Sequence, residues 1–198
     1  MYELWGLTGQ TGAGKTTVGT LLKQLGCAVL DCDAVANCVI ETDADCRKAL
    51  CSAFGNDMIK ISGELDRALL AERAFAGVEQ TQRLNAIVHP PVVAELLRLA
   101  KAQIEDIVVL DGATLIESGL DRNCERMIAV IAPEDVRLAR IMARDGLTRK
   151  RALLRMRAQP AQVFYTQRAD VVIDGCMQLE QIRTRITALL EQAREGRR

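Results

Sequence analysis

The chain has 198 residues, of which 49% are hydrophobic and only 3% aromatic, so we expect one compact domain whose core is built mainly from Leu, Ile, Val and Ala. Its 26 basic and 26 acidic side chains give a formal net charge of zero. Charge therefore gives no reason to expect nucleic acid or an acidic membrane surface among the partners, and we predict neither.

A glycine-rich motif follows the first predicted strand. The apolar run Leu4–Leu7 indicates a strand, and residues 9–16 (GQTGAGKT) fit G-x-x-x-x-G-K-[ST], the phosphate-binding P-loop. Apolar residues at helical spacing between Thr16 and Leu25 predict the helix that must follow this motif. The order strand, glycine turn, helix favours a nucleotide phosphate site over a turn without a ligand.

The motif assigns a role to each of its residues. Lys15 is expected to reach the β- and γ-phosphates, and the Thr16 hydroxyl is expected to bind Mg²⁺. The glycines let backbone N–H groups point inward at phosphate oxygens. The other residues expected to bind ATP are Gly9, Gly12, Ala13, Gly14 and Thr17.

The second predicted strand, Cys27–Asp31, ends in one carboxylate, Asp31, and a second, Asp33, follows two residues later. We expect Asp31 and Asp33 at the carboxyl end of a strand next to the P-loop strand, the edge where open parallel sheets bind ligands. One could accept the proton of a substrate hydroxyl, while the other holds a Mg²⁺ water or caps the next helix; alternatively, both only cap the helix Ala34–Ile40. We favour Asp33 as the base.

A helical insertion is predicted over about residues 34–103, where no convincing core strand occurs. Such an insertion would supply a domain for a second substrate. Beyond the helix that follows Asp33, the helices expected there are Asp45–Phe54, Asp66–Phe75 and Gln80–Ala102.

The only histidine of the chain, His89, lies inside this insertion and is followed by Pro90 and Pro91. A residue before proline favours an extended backbone, so we expect an extended His89 and a long segment divided into two helices. A single histidine is more often structural than catalytic, and His89 is here either a structural residue or a substrate contact.

The next apolar run, Ile107–Asp111, has the form of a Walker B strand because it is β-branched and ends in a carboxylate. Asp111 therefore competes with Asp31 and Asp33 for the position facing Mg²⁺. Two further apolar runs predict the remaining strands, Met127–Ala132 and Asp170–Gly175.

Basic side chains are concentrated between residues 137 and 157 of this otherwise neutral chain. A basic run on a helix is usually a solvated face, but two arginine-rich helices joined by a turn also form the mobile lid of P-loop kinases. With a P-loop present, we favour a lid over about residues 139–164, with Arg140 and Arg144 as phosphate contacts. The basic residues are Arg137, Arg140, Arg144, Arg149, Lys150, Arg151, Arg155 and Arg157.

The seven cysteines are odd in number, and none forms a C-x-x-C pair. We expect reduced thiols rather than a zinc site. The sequence shows no secretion signal, and its longest apolar runs, about six residues, are too short for a bilayer span. These features predict a cytoplasmic protein.

Taken in order, several stretches of the chain resemble the motifs of the dephospho-coenzyme A kinase family. The resemblance covers nearly the whole chain at matching spacings, and the segment ending in His-Pro is far more discriminating than the P-loop. The stretches are GLTGQTGAGKTT (6–17), VLDCD (29–33), LNAIVHP (84–90), RDGL (144–147), RMRAQ (155–159) and ADVVID (169–174).

This resemblance implies transfer of the γ-phosphoryl group of ATP to the ribose 3′-hydroxyl of dephospho-coenzyme A, giving coenzyme A and ADP. It implies that Asp33 is the catalytic base and contacts the substrate, and that Lys15 and the P-loop hold ATP. It further implies that Thr16 binds Mg²⁺, that Arg140 stabilises the transferring phosphoryl group, and that His89 belongs to the coenzyme A-binding domain.

Together, these observations predict a three-layer α/β P-loop kinase with a five-stranded parallel sheet, a helical substrate domain and an arginine-rich lid. The core is expected over residues 1–33, 104–138 and 165–198, and the protein is expected to be a monomer or weak oligomer. Residues 111–117 and 160–165 depart from the family pattern, and Gly175 stands where the family has asparagine. The alternatives are a P-loop kinase for another small hydroxyl substrate, such as a nucleoside, and a non-catalytic nucleotide-binding regulator.

Overall fold

The computed structural model describes residues 2–60 and 62–196, which divide into two compact units. One unit runs up to Leu30 and resumes at Gln103, and the other spans Asp31–Ala102. Residues 1, 61, 197 and 198, which the expected core and insertion include, lie outside the described residues. Within the described ranges, no helix is both long and apolar enough to cross a membrane.

The first unit contains a five-stranded parallel sheet with the strand order β2-β3-β1-β4-β5. The predicted strands are confirmed, each within one residue of its expected ends. The observed strands are β1 (Glu3–Thr8), β2 (Ala28–Asp31), β3 (Ile107–Asp111), β4 (Arg126–Ile131) and β5 (Val171–Asp174).

The strand order corrects one expectation. β2, which ends at Asp31, does not lie next to the P-loop strand β1, because β3 lies between them. The residues of β3 from Ile107 to Leu110 are all buried, whereas only Ala28 is buried in β2. A continuous apolar run suits a central strand covered on both faces, and a half-exposed strand suits the edge of the sheet.

Helices follow the strands of the sheet and build the whole second unit. Short 3-10 helices also occur at Asn56–Met58 and Leu120–Asn123. The α-helices are α1 (Lys15–Gln24), α2 (Cys32–Thr42), α3 (Ala44–Phe54), α4 (Arg67–Ala74), α5 (Val78–Lys101), α6 (Glu134–Asp145), α7 (Arg149–Arg157), α8 (Gln162–Thr166) and α9 (Leu179–Glu195).

The main core lies between one face of the sheet and the helices α1 and α9. Alternate residues of β1, such as Trp5 and Leu7, point into it because side chains of a strand alternate between the two faces. Leu22 of α1 and Ile186 of α9 meet them there, fully buried. This packing fixes the start of α1, and with it the loop between β1 and α1.

A smaller core joins α6 and α7. Ile141, Ala152 and Met156 are its buried residues, and Leu138 and Met142 pack against it. Thr148 caps α7, as predicted, by accepting a hydrogen bond from the N–H of Arg151. The arginine-rich segment is therefore a helical hairpin with apolar contacts of its own.

In the second unit, α5 packs against α2, α3 and α4 and is one continuous helix. The expectation that Pro90 and Pro91 divide it is wrong, and so is the extended backbone expected for His89, which lies within the helix. The prolines remove two backbone hydrogen bonds. The buried residues Val88 and Val92, on either side of them, keep packing contacts that outweigh this loss.

Candidate active site

The loop between β1 and α1 has the backbone geometry of a phosphate cradle. Gly12 has a φ of 78° and Gly14 a φ of 111°, values in the left-handed region that favours glycine. A Cβ on Gly12 would also come within 2.8 Å of the carbonyl oxygen of Arg137. Gly14 is the N-cap of α1 and provides no side-chain cap, and a helix N-terminus without one is suited to an anion.

Lys15 and Asp111 are brought together at the carboxyl edge of the sheet. Lys15 Nζ lies 2.7 Å from Asp111 Oδ1, and the two side chains are 21% and 22% exposed. The parallel register that pairs Leu7 with Asp111 accounts for this contact, because it aligns the end of β3 with the start of the P-loop. Gly19 of α1 leaves room for the other carboxylate oxygen of Asp111, which a Cβ there would approach to 3.3 Å.

Arg140 contacts the P-loop from α6. Its guanidinium donates hydrogen bonds to the carbonyls of Gly12 and Ala13, each at 3.2 Å, and to the carbonyl of Gly175 at 2.9 Å. Arg140 thus links the P-loop to the turn after β5. Its expected action on a transferring phosphoryl group stays a prediction.

Arg144 belongs to an ion-pair network within the hairpin. Its guanidinium donates two hydrogen bonds to Asp145, at 2.7 and 2.9 Å, and Arg155 donates a third at 2.8 Å. Hydrogen bonding from Arg144 lowers the pKa of Asp145. This network holds the turn between α6 and α7, and a phosphate contact by Arg144 stays a prediction.

Arg137 differs from the other basic residues because its side chain is buried. It is 6% exposed, and within the described ranges its Nε and Nη1 atoms have no hydrogen-bond partner. Burial lowers the pKa of Arg137, and it raises the pKa of Glu117 and, to about 12, that of Tyr165. Sequence reasoning missed this buried group, although Arg137 lies on the same helix face as Arg140 and Ile141.

In the second unit, the two aspartates near the start of α2 have different surroundings. Asp31 is the N-cap of α2 and accepts a 3.0 Å hydrogen bond from the N–H of Ala34. Asp33 lies in the first turn of α2 and is exposed. The helix dipole favours a negative charge at this position.

His89 lies in the middle of α5 and is half-buried. Burial lowers the pKa of His89 from its usual 6.5, so its imidazole is neutral at pH 7. A neutral imidazole can donate one hydrogen bond and accept another. The role of His89 as a substrate contact stays a prediction.

The oxygen groups expected to hold Mg²⁺ are of the right chemical type. The Thr16 hydroxyl is exposed at the start of α1, and the Asp111 carboxylate is partly exposed. Across residues 2–60 and 62–196, no three His, Cys, Asp or Glu side chains cluster as a metal site. Hydroxyl and carboxylate oxygens are ligands that Mg²⁺ accepts, usually one or two from the protein with the rest from substrate phosphates and water.

Comparison with known proteins agrees with this geometry. The family model described as dephospho-CoA kinase matches residues 4–181. A dephospho-CoA kinase of Deinococcus radiodurans is 42% identical over 190 residues, which cover 94% of this chain and 90% of that protein. The crystal structure of TT1252 from Thermus thermophilus has a TM-score of 0.82 at 32% identity and covers 96% of this chain and 97% of that one.

A second solved structure has the same fold at lower identity. Dephospho-CoA kinase from Campylobacter jejuni has a TM-score of 0.70 and 23% identity, with 100% of both chains covered. The expected fold class, a three-layer α/β P-loop kinase fold with a parallel sheet, is confirmed. The resemblance of the sequence motifs to those of the dephospho-coenzyme A kinase family is confirmed as well. The chain belongs to the dephospho-CoA kinase family.

Proposed function

We propose that this protein transfers the γ-phosphoryl group of ATP to the ribose 3′-hydroxyl of dephospho-coenzyme A, giving coenzyme A and ADP. The observation that carries this proposal is a complete P-loop with Lys15 at the head of α1, in a chain that matches the family model over residues 4–181. The named relatives are kinases of this type.

The reaction needs positioning and charge stabilisation rather than a covalent intermediate. In our proposal, the Asp33 carboxylate accepts the proton of the 3′-hydroxyl, and the freed oxygen attacks the γ-phosphorus. The bond from that phosphorus to the β–γ bridging oxygen breaks, and ADP leaves with the bonding electrons. The exposed position of Asp33 in the first turn of α2 supports this role, because its carboxylate is accessible to a substrate hydroxyl there.

The phosphates of ATP would be held by the loop residues Gly9, Gly12, Ala13, Gly14 and Thr17. Lys15 would exchange Asp111 for the β- and γ-phosphates, since phosphate oxygens offer the ammonium group the same negative charge as the carboxylate. Arg140 and Arg144, on α6, would approach the same phosphates when the hairpin closes.

Bound Mg²⁺ would neutralise charge on the β- and γ-phosphates. The Thr16 hydroxyl would bind it directly, and either Asp111 or Asp31 would hold one of its waters. Asp111 is the better supported of the two, because the sheet register places it beside Leu7, at the end of the strand that leads into the P-loop.

For the acceptor, we propose the helical unit Asp31–Ala102, with His89 as a contact. The neutral imidazole of His89 supports a hydrogen-bonding role rather than a charged one. The cytoplasmic location and the monomeric or weakly oligomeric state expected from the sequence stay predictions.

The test is an assay of ADP release with purified protein, ATP, Mg²⁺ and a panel of acceptors. We expect release that depends on dephospho-coenzyme A and not on nucleosides or shikimate. Phosphorylation of a nucleoside but not of dephospho-coenzyme A would favour a P-loop kinase for another small hydroxyl substrate. Tight ATP binding with no acceptor in the panel phosphorylated would favour a nucleotide-binding regulator.

A further inference from the structure

Two glutamines join the P-loop to the segment after α7 through a reciprocal pair of hydrogen bonds. The Oε1 atom of Gln159 accepts a 2.8 Å hydrogen bond from the backbone N–H of Thr11. The Nε2 atom of Gln10 donates a 2.8 Å hydrogen bond to the carbonyl of Pro160. Each side chain therefore binds the backbone next to the other glutamine, between segments about 150 positions apart in sequence.

Gln10 and Gln159 are both restrained by their surroundings. Gln10 is only 8% exposed, so its amide is a buried polar group that needs its partner. Gln159 follows α7, three residues after Met156, which is buried in the small core between α6 and α7. The pair thus connects the first turn of the P-loop to the packed part of the hairpin.

The hydrogen bond at Thr11 also restricts how the P-loop presents its donors. A backbone N–H has one proton to give, and that of Thr11 is given to Gln159. The bond therefore leaves phosphate oxygens to the other N–H groups of the loop and fixes the backbone orientation at Thr11. A loop rich in glycine has many alternative shapes, so fixing its first turn reduces the entropy lost when a nucleotide binds.

We propose that Gln10 and Gln159 form a brace that holds the Gln10–Gly12 turn in its nucleotide-binding shape. Gln159 is then a positioning residue, because it acts through the backbone of Thr11. This inference rests on the proposed function only in that the P-loop binds ATP. It does not depend on which acceptor is phosphorylated.

The first test measures nucleotide affinity. Gln159→Ala should weaken ADP binding about fivefold to tenfold, the factor that corresponds to one net hydrogen bond. The KM for ATP should rise by a similar factor, and the KM for dephospho-coenzyme A should not change. A variant that merely folds less well would lower kcat and leave both KM values unchanged. Gln162→Ala, at an exposed glutamine at the start of α8, is the matched control and should behave as wild type.

The second test follows hydrogen exchange at the backbone amide of Thr11 by NMR. Gln159→Ala should remove the protection of this amide, whereas Gln159→Glu should keep it, because a carboxylate oxygen can still accept the bond. Gln10→Ala should weaken ADP binding as well, and the double variant should lose less than the product of the two single effects, since the pair acts as one unit.

Unchanged ADP affinity in Gln159→Ala overturns the proposal, whether or not the Thr11 amide loses protection. Retained protection in Gln159→Ala overturns it too. Failure of the wild-type protein to phosphorylate dephospho-coenzyme A would refute the proposed function, but the ADP and amide measurements would still decide on the brace.

Discussion

Lys15 at the head of α1 and Asp111 at the end of β3 form a 2.7 Å ion pair beside the P-loop. The register of the sheet brings them together, because Asp111 lies beside Leu7, at the end of the strand that leads into the P-loop. The pair gives the P-loop lysine a partner that a nucleotide phosphate resembles in charge. Asp111 therefore holds Lys15 beside the P-loop, where the proposed function requires it.

We expect Lys15→Met to reduce kcat about 100-fold or more, because it removes a cation aimed at the transferring phosphoryl group. The free energy of unfolding should change by only about 1 kcal/mol, since the ion pair is partly exposed. Initial rates with ATP and dephospho-coenzyme A provide the check. Lys23→Met, at an exposed lysine in the last turn of the same helix, is the control. A Lys15→Met rate within twofold of wild type would contradict this account.

If Asp33 is the catalytic base, replacing it should change turnover without changing ATP binding. Asp33→Asn should lower kcat about 100-fold or more and leave ATP affinity nearly unchanged, because the amide cannot accept the hydroxyl proton. Asp43→Asn is the matched control, since Asp43 caps α3 and asparagine caps helices equally well. Near-normal turnover by Asp33→Asn would remove Asp33 from the role of base.

Gly175 lies against the P-loop, and its place in the packing leads to a third prediction. A Cβ at this position would overlap the carbonyl oxygen of Ala13, which is main chain and cannot rotate away. We expect Gly175→Ala to displace the loop and to weaken ATP binding about tenfold, as measured by calorimetry. Gly196→Ala is the control, because a Cβ there meets nothing closer than 3.5 Å. Equal ATP affinity in the two variants would show that the loop tolerates the change.

The lowered pKa of His89 predicts that the free energy of unfolding depends on pH. Burial lowers the pKa of His89 from 6.5, so the unfolded chain binds a proton more readily than the folded one. Stability is therefore fully present above about pH 6.5 and falls as the pH drops through the folded-state pKa. Thermal unfolding at pH 7.5, 6.5 and 5.5 should show a smaller loss for His89→Asn than for wild type. Identical losses in both proteins would contradict the assignment of this titration to His89.

Much of the fold could be predicted from the sequence because its signals are local. The P-loop pattern needs only eight consecutive residues, and runs such as Ile107–Asp111 show buried strands by composition alone. The helix cap at Thr148 has a local signal too. These features depend on residues close together in the chain, and the structure reproduces them.

The rest depends on contacts between distant segments. The position of β3 between β1 and β2 depends on pairing between strands that are far apart in the chain, which no short pattern reports. Pro90 and Pro91 stay helical because Val88 and Val92, on either side of them, are buried, whereas propensity alone favours a break. The Gln159 contact with Thr11 spans 148 positions, so no local pattern predicts it.

In the proposed reaction, the γ-phosphoryl group of ATP is transferred to the ribose 3′-hydroxyl of dephospho-coenzyme A. The most direct measurement is ³¹P NMR of the product formed by the purified protein from ATP, Mg²⁺ and dephospho-coenzyme A. We expect a new 3′-phosphomonoester resonance that matches coenzyme A, with one ADP formed for each coenzyme A. A phosphate at another position, or ADP formed without a phosphorylated acceptor, would contradict it.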